Sequence, residues 1–177
     1  MEKVNLETMV VGVDSSECSD GAVDWAAQEA VRTGRRLLLV NVWHWSSDVV
    51  SFGDTPDACA GGKRSLRRAY LRATSHGAVT SSRLVEGQAA AALTEIAKDA
   101  AMLVVGAHGR GWLGRTLIGS VSKGCVQHAS CPVVVVPARV PNSEDQGCGG
   151  EPTTSHDTGE DAAWAVESAS SLVSPSQ

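Results

Sequence analysis

"TMVVGVDSSECSDGAVDWAAQEAVRTGRRLLLVNVW", residues 8–43, decides the fold class. It opens with a continuous apolar run closed by a carboxylate, Asp14, the pattern of a parallel strand buried on both faces. The serines and acids that follow suit a helix N-terminus, Ala22, Trp25, Ala26 and Ala30 recur at helical spacing, and Gly34 suits the position just past the last turn. A second apolar run, about 36–43, completes a strand, helix and strand. The connection is too long for a hairpin, so the two strands run parallel with a right-handed crossover.

Working outward, the same alternation continues. Residues 44–62, "HWSSDVVSFGDTPDACAGG", are small and polar and read as a long loop, followed by a short helix over 63–75 and a weaker third strand over 78–85. The stretch 87–100 places Ala89, Leu93, Ile96, Ala97 and Ala100 on one helical face. "AMLVVG" (101–106) is a fourth strand, "SVSKGCVQHA" (120–129) a fourth helix and "PVVVVP" (132–137) a fifth strand. The expected class is α/β, an open doubly wound parallel sheet.

At 177 residues the chain is long enough for one sizeable core, which we place in a domain of residues 1–140. Residues 141–177 shift to Gly, Ser, Thr, Pro and acids, a composition that cannot bury enough apolar surface to offset ordering, and read as a disordered acidic tail. Within it, 160–173 ("EDAAWAVESASSLV") carries enough Ala, Trp, Val and Leu for a short amphipathic helix. The net charge is −5, and because the tail holds seven acids and no Lys or Arg, residues 1–140 carry +2. A nearly neutral folded part argues against a nucleic-acid partner, which would demand a basic face.

Five cysteines, Cys18, Cys59, Cys125, Cys131 and Cys148, are odd in number and form no C-x-x-C pair, which suits free thiols in a reducing compartment. Cys125, His128 and Cys131 lack a second cluster that would complete four zinc ligands, so they read as packing groups on a helix. No apolar run approaches the ~20 residues that cross a bilayer, and the N-terminus lacks a leader pattern. The expectation is a soluble, cytoplasmic protein without a membrane partner.

In an open α/β sheet, ligands sit beyond the carboxyl ends of the strands, where the strand order reverses. Two such ends are unusual here: Asp14, and the segment "VVGAHGRGWLGRTLIGSVS" (104–122) after the fourth strand. In the latter, Gly106 and Gly109 permit a sharp turn and close approach to a ligand, and Gly119 opens a helix whose first amides, at Ser120, Val121 and Ser122, are unpaired donors. Such a helix start attracts an anion, and phosphate is the natural guest. Ser120 and Ser122 add hydroxyls, and His108 or Arg110 adds charge near the distal phosphates. Asp14 suits ribose hydroxyls, or the alternative duty of accepting hydrogen bonds from the serines that follow it. Trp112 either covers the ligand or packs on the next helix.

The spacing Gly106-x2-Gly109-x9-Gly119-Ser120 resembles the nucleotide motif of the universal stress protein family. "VVGVDSSECSDGAVDWA" is similar to that family's opening strand and helix, and "LIGSVSKGCVQHASCPVVVVP" to its closing helix and strand, so the resemblance extends over nearly all of residues 8–137. It implies a five-stranded, Rossmann-like sheet in the order 3-2-1-4-5 and ATP, with Mg²⁺, as cofactor. It also implies adenine near Gly12, Val13, Asp14 and Val42, with ribose on Asp14. Val105, Gly106, His108, Gly109, Arg110, Gly119, Ser120, Val121 and Ser122 would then surround the phosphates. The apolar last strand, 133–136, implies a homodimer across that edge. The function so implied is a regulatory, ATP-binding dimer of the stress response, with a nucleotide-independent interaction module or a slow ATPase or autophosphorylating protein as alternatives. Residues 44–77 match the family least well and leave the adenine wall of the pocket open.

Other nucleotide and acyl-transfer chemistry is excluded by pattern. "SVSK" (120–123) satisfies S-x-x-K, but S-D-N and K-T-G are missing, as are G-x-S-x-G and G-x-x-x-x-G-K-[ST]. No carboxylate pair or general base is placed for rapid hydrolysis.

Overall fold

The computed structural model describes residues 4–43, 55–109 and 118–137, and residues 166–169 as backbone. The elements run in the order β1 (Thr8–Gly12), α1 (Glu17–Thr33), β2 (Arg36–Trp43), α2 (Thr55–Ser75), β3 (Thr80–Glu86), α3 (Ala89–Ile96), β4 (Met102–Gly106), α4 (Ser120–His128), β5 (Val133–Val136) and β6 (Val166–Ala169). All strand pairs are parallel, and the sheet order is β5-β4-β1-β2-β3-β6. The first five strands thus form the expected 3-2-1-4-5 sheet.

The central strands β1, β2 and β4 are largely apolar on both faces because helices cover both. Along β1 and β2, Met9, Val11, Leu37 and Leu39 pack toward α1 and α2, with Ala22, Val23, Ala26, Ala27 and Leu66. The alternate residues Val10, Leu38 and Val40 pack toward α3 and α4, with Leu93, Ala97 and Cys125. The period-two alternation divides one apolar run between two cores.

Helix α1 starts where the serines predict. Ser16 is its N-cap, accepting from the Ser19 amide at 3.1 Å, and Gly34 closes it in the left-handed region at φ 65°. Trp25, expected on the buried face, is 38% exposed, and Val23 and Ala27 fill the core in its place.

Two stretches differ from the expectation. Helix α2 begins at Thr55, inside the stretch read as loop, and runs through Gly61 and Gly62; residues 44–54 lie outside the described set. A Cβ on Gly62 would meet Asn41 Oδ1 at 2.5 Å and Leu84 Cδ1 at 2.7 Å, so the glycine lets the helix lie against β2 and β3. Packing outweighs glycine's poor helix propensity here. In the tail, the short helix expected over 160–173 gives way at 166–169 to extended backbone that pairs with β3. A helix of that length has no ladder or packing to stabilise it in water, whereas the outer edge of β3 offers partners.

Candidate functional site

The chain winds β1, β2, β3 to one side of the sheet and β4, β5 to the other, so the switch point falls between β1 and β4. A cleft of about 560 Å³ opens there. Its lining includes Gly12, Val13, Asp14, Val42, Val105, Gly106, His108, Gly109, Gly119, Ser120, Val121 and Ser122. All the site residues expected from sequence therefore meet in one crevice, apart from Arg110, which with Trp112 lies outside the described residues.

Asp14 is tied into the start of α1. Its Oδ1 accepts from the Ser16 amide at 3.0 Å and from Ser16 Oγ at 2.6 Å, and its own amide donates to Ser19 Oγ at 3.2 Å. Acceptance from the following serine, the alternative duty for this carboxylate, is thus realised, while the residue still lines the cleft. Ser16 Oγ also donates to the His108 carbonyl at 3.2 Å, joining the β1 and β4 corners. Ser15, between Asp14 and the helix cap, takes φ 67°, and its hydroxyl meets that of Ser65 on α2.

The glycines act differently from the simplest reading of them. None of Gly106, Gly109 and Gly119 has positive φ. Each instead permits close approach of the protein to itself: a Cβ on Gly106 would lie 2.7 Å from the backbone of Cys18, and one on Gly119 would lie 3.2 Å from the Ala107 carbonyl oxygen. The first contact brings α1 onto the end of β4, and the second brings α4 there. The Gly119 amide donates to the Ala107 carbonyl at 2.7 Å, and buried Ser122 Oγ donates to the Gly106 carbonyl at 2.6 Å. The Ser122 hydroxyl is thereby engaged within the protein. The first intrahelical bond of α4 runs from the Lys123 amide to Gly119 at 2.9 Å, so the amides of Ser120, Val121 and Ser122 precede the helical ladder at the cleft.

The opposite wall was missed by the sequence reading. Gly61, Gly62 and Ser65 of α2, with Asn41, Trp43, Ala89 and Leu93, also line the cleft. Asn41 is buried, and its Nδ2 donates to the Val13 carbonyl at 2.6 Å, fixing the end of β1 beside β2. A lone Asn within "LLLVNVW" was the available signal, a polar residue in an otherwise apolar strand that needs a partner.

Among the described residues no cluster of three or more His, Cys, Asp or Glu is arranged to hold a metal ion. Burial pushes the Cys125 thiol up to about 11, and burial raises Cys131 as well, so both are packed thiols. Among the described residues no helix is long and apolar enough to cross a membrane.

Sheet order and crevice define a doubly wound α/β domain with a helix N-terminus set at its switch point. The sequence profile of the Universal stress protein family matches residues 5–137, and the chain belongs to that family. It is 31% identical over 178 aligned positions to universal stress protein MT2052 of Mycobacterium tuberculosis, which covers 82% of this chain and 55% of the relative. The chain thus spans about half the length of the curated relatives it matches. A crystal structure of a universal stress protein in complex with cAMP is 30% identical, with TM-score 0.60 over 74% of this chain and 97% of that one. The Archaeoglobus fulgidus universal stress protein in complex with dAMP, 20% identical, shares the fold at TM-score 0.60 over 77% of this chain and 99% of its own.

Proposed function

We propose that the switch-point cleft binds an adenine nucleotide, ATP with Mg²⁺, and that its occupancy tunes the conformation or partner surface of a homodimer in the stress response. The observation that carries this reading is the start of α4, stapled to β4 by Gly119 and Ser122, with its first amides at the cleft. Those amides suit phosphate oxygens, with the helix dipole adding to the attraction. His108, half-buried in the same lining, stands beside them. Asp14, which lines the cleft, would accept from ribose hydroxyls. Gly12, Val13 and Val42 would border the base.

The phosphates supply charge, and the protein supplies orientation. Asn41 holds the Val13 carbonyl and Ser16 links Asp14 to the β4 corner, which supports an ordered arrangement of these residues around the ligand. The homodimer would form through β5, an edge strand whose four valines are all half-buried in the single chain. The proposed location is cytoplasmic.

The cAMP-bound relative favours a second reading, in which a monophosphate nucleotide fills the same cleft. Parallel calorimetric titrations with Mg²⁺-ATP, AMP and cAMP separate the two. Tighter binding of ATP supports the first, tighter binding of either monophosphate supports the second, and no saturable heat with any of them contradicts both.

A further inference from the structure

The matched family region ends at residue 137, yet residues 166–169 return to the sheet at the far edge. In parallel register, Ser82 aligns with Val166, Arg83 with Glu167, Leu84 with Ser168 and Val85 with Ala169. An open parallel sheet exposes two rows of unpaired backbone groups, one at each edge. Here β6 occupies the row on β3, while β5 forms the other edge of the sheet.

Charge matches the same pairing. The tail from 141 onward holds seven acids and no base. Helix α2 packs over β2 and β3; its Leu66, Ala69 and Ala73 face the core, and Arg68 and Arg72 reach Asp20 and Asp24 of α1. With 3.6 residues per turn, exposed Lys63 and Arg67 then fall on the flank away from α1, toward the β3 edge. Arg83 stands at the register position of Glu167.

We propose that residues 166–169 are a built-in edge cap: a strand of the acidic tail, held by the backbone ladder and steered by the basic flank of α2, that closes β3 against strand addition by other chains. The occupant of this edge is the chain's own tail. The principle is the strand addition by which extended peptides join sheet edges, used here within one molecule. Because part of the attraction is ionic, it weakens at about 1 M salt, where screening reaches within a few ångströms.

The test is hydrogen exchange on the full chain, read at the β3 amides of residues 82–85. It is compared with E167P/A169P, which removes the two amides of this strand that face β3, and with K63E/R67E, which reverses the basic flank and leaves the tail intact. The expected result is that the outward-facing β3 amides exchange about tenfold or more faster in the proline variant. In the charge-reversal variant they exchange several-fold faster, and β1 and β4 amides keep their protection in both. Light scattering then shows concentration-dependent species larger than those of the unmodified chain. Outward β3 amides that exchange at one rate in all three proteins would overturn the proposal, whatever the cleft binds.

Discussion

A Cβ added to Gly109 would lie 2.5 Å from Oδ2 of Asp14, so the loop after β4 and the carboxylate after β1 are packed directly against each other across the switch point. The glycine is required by the neighbouring side chain rather than by a turn. Even one methyl group must displace Asp14 or the loop. Gly109→Ala is therefore expected to weaken nucleotide binding tenfold or more, at least about 1.4 kcal/mol, with Gly109→Val more severe. Calorimetric titration with circular dichroism as a folding control checks this; wild-type affinity in a folded Gly109→Val variant would place the ligand elsewhere.

The adjacent glycines of α2 should behave oppositely. A Cβ on Gly61 meets nothing closer than Arg64 Nη2 at 3.9 Å, so Gly61→Ala gains helix propensity and stabilises by up to about 1 kcal/mol. Gly62→Ala gains the same propensity but drives its methyl into Asn41 and Leu84, a clash of about 1–3 kcal/mol that outweighs it. Thermal unfolding of the two variants should bracket the wild type, Gly61→Ala above and Gly62→Ala below.

How much of this was legible beforehand follows from the same residues. Apolar runs with serine caps and terminal glycines gave β1, α1 and β2, because buried parallel strands and helix caps are local signals. The crevice was legible because Asp14 and the glycine loop each sit at a strand end. The α2 wall was not: Gly61 and Gly62 read as loop by propensity, and only the closeness of Asn41 and Leu84, distant in sequence, explains a helix through them. Strand β6 was hidden for a similar reason, since its partner, β3, lies about eighty residues away.

An ion-pair group joins α1 to α2. Asp24 accepts from Arg72 Nε and Nη2 at 2.6 and 2.7 Å, and His76 Nε2 lies 3.1 Å away. Burial alone would raise the Asp24 carboxyl, but the hydrogen bonds and charges of Arg72 and His76 outweigh it and hold the group below its ordinary value. A depressed carboxylate stabilises the fold above the usual carboxylate range, and the contribution is lost as pH falls through and below it. The group is solvent-accessible, so the effect is below about 1 kcal/mol. Asp24→Asn should lower the melting temperature slightly at neutral pH and converge with wild type under acid; an equal offset at all pH values would contradict the linkage.

The thiol of Cys125 is fully buried and raised to about 11, and Cys131 is also raised. At neutral pH both are protonated, and Cys125 is also shielded by full burial. Brief iodoacetamide treatment of the native protein, followed by peptide mass spectrometry, should leave Cys125 unmodified until denaturant is added. Rapid native labelling would show that α4 opens away from the sheet.

The most direct measurement is calorimetric titration of the full chain with Mg²⁺-ATP. Saturation near one nucleotide per chain, lost in Gly109→Val, is the predicted result. Heats that never saturate up to millimolar ATP would contradict it and leave the crevice without its proposed ligand.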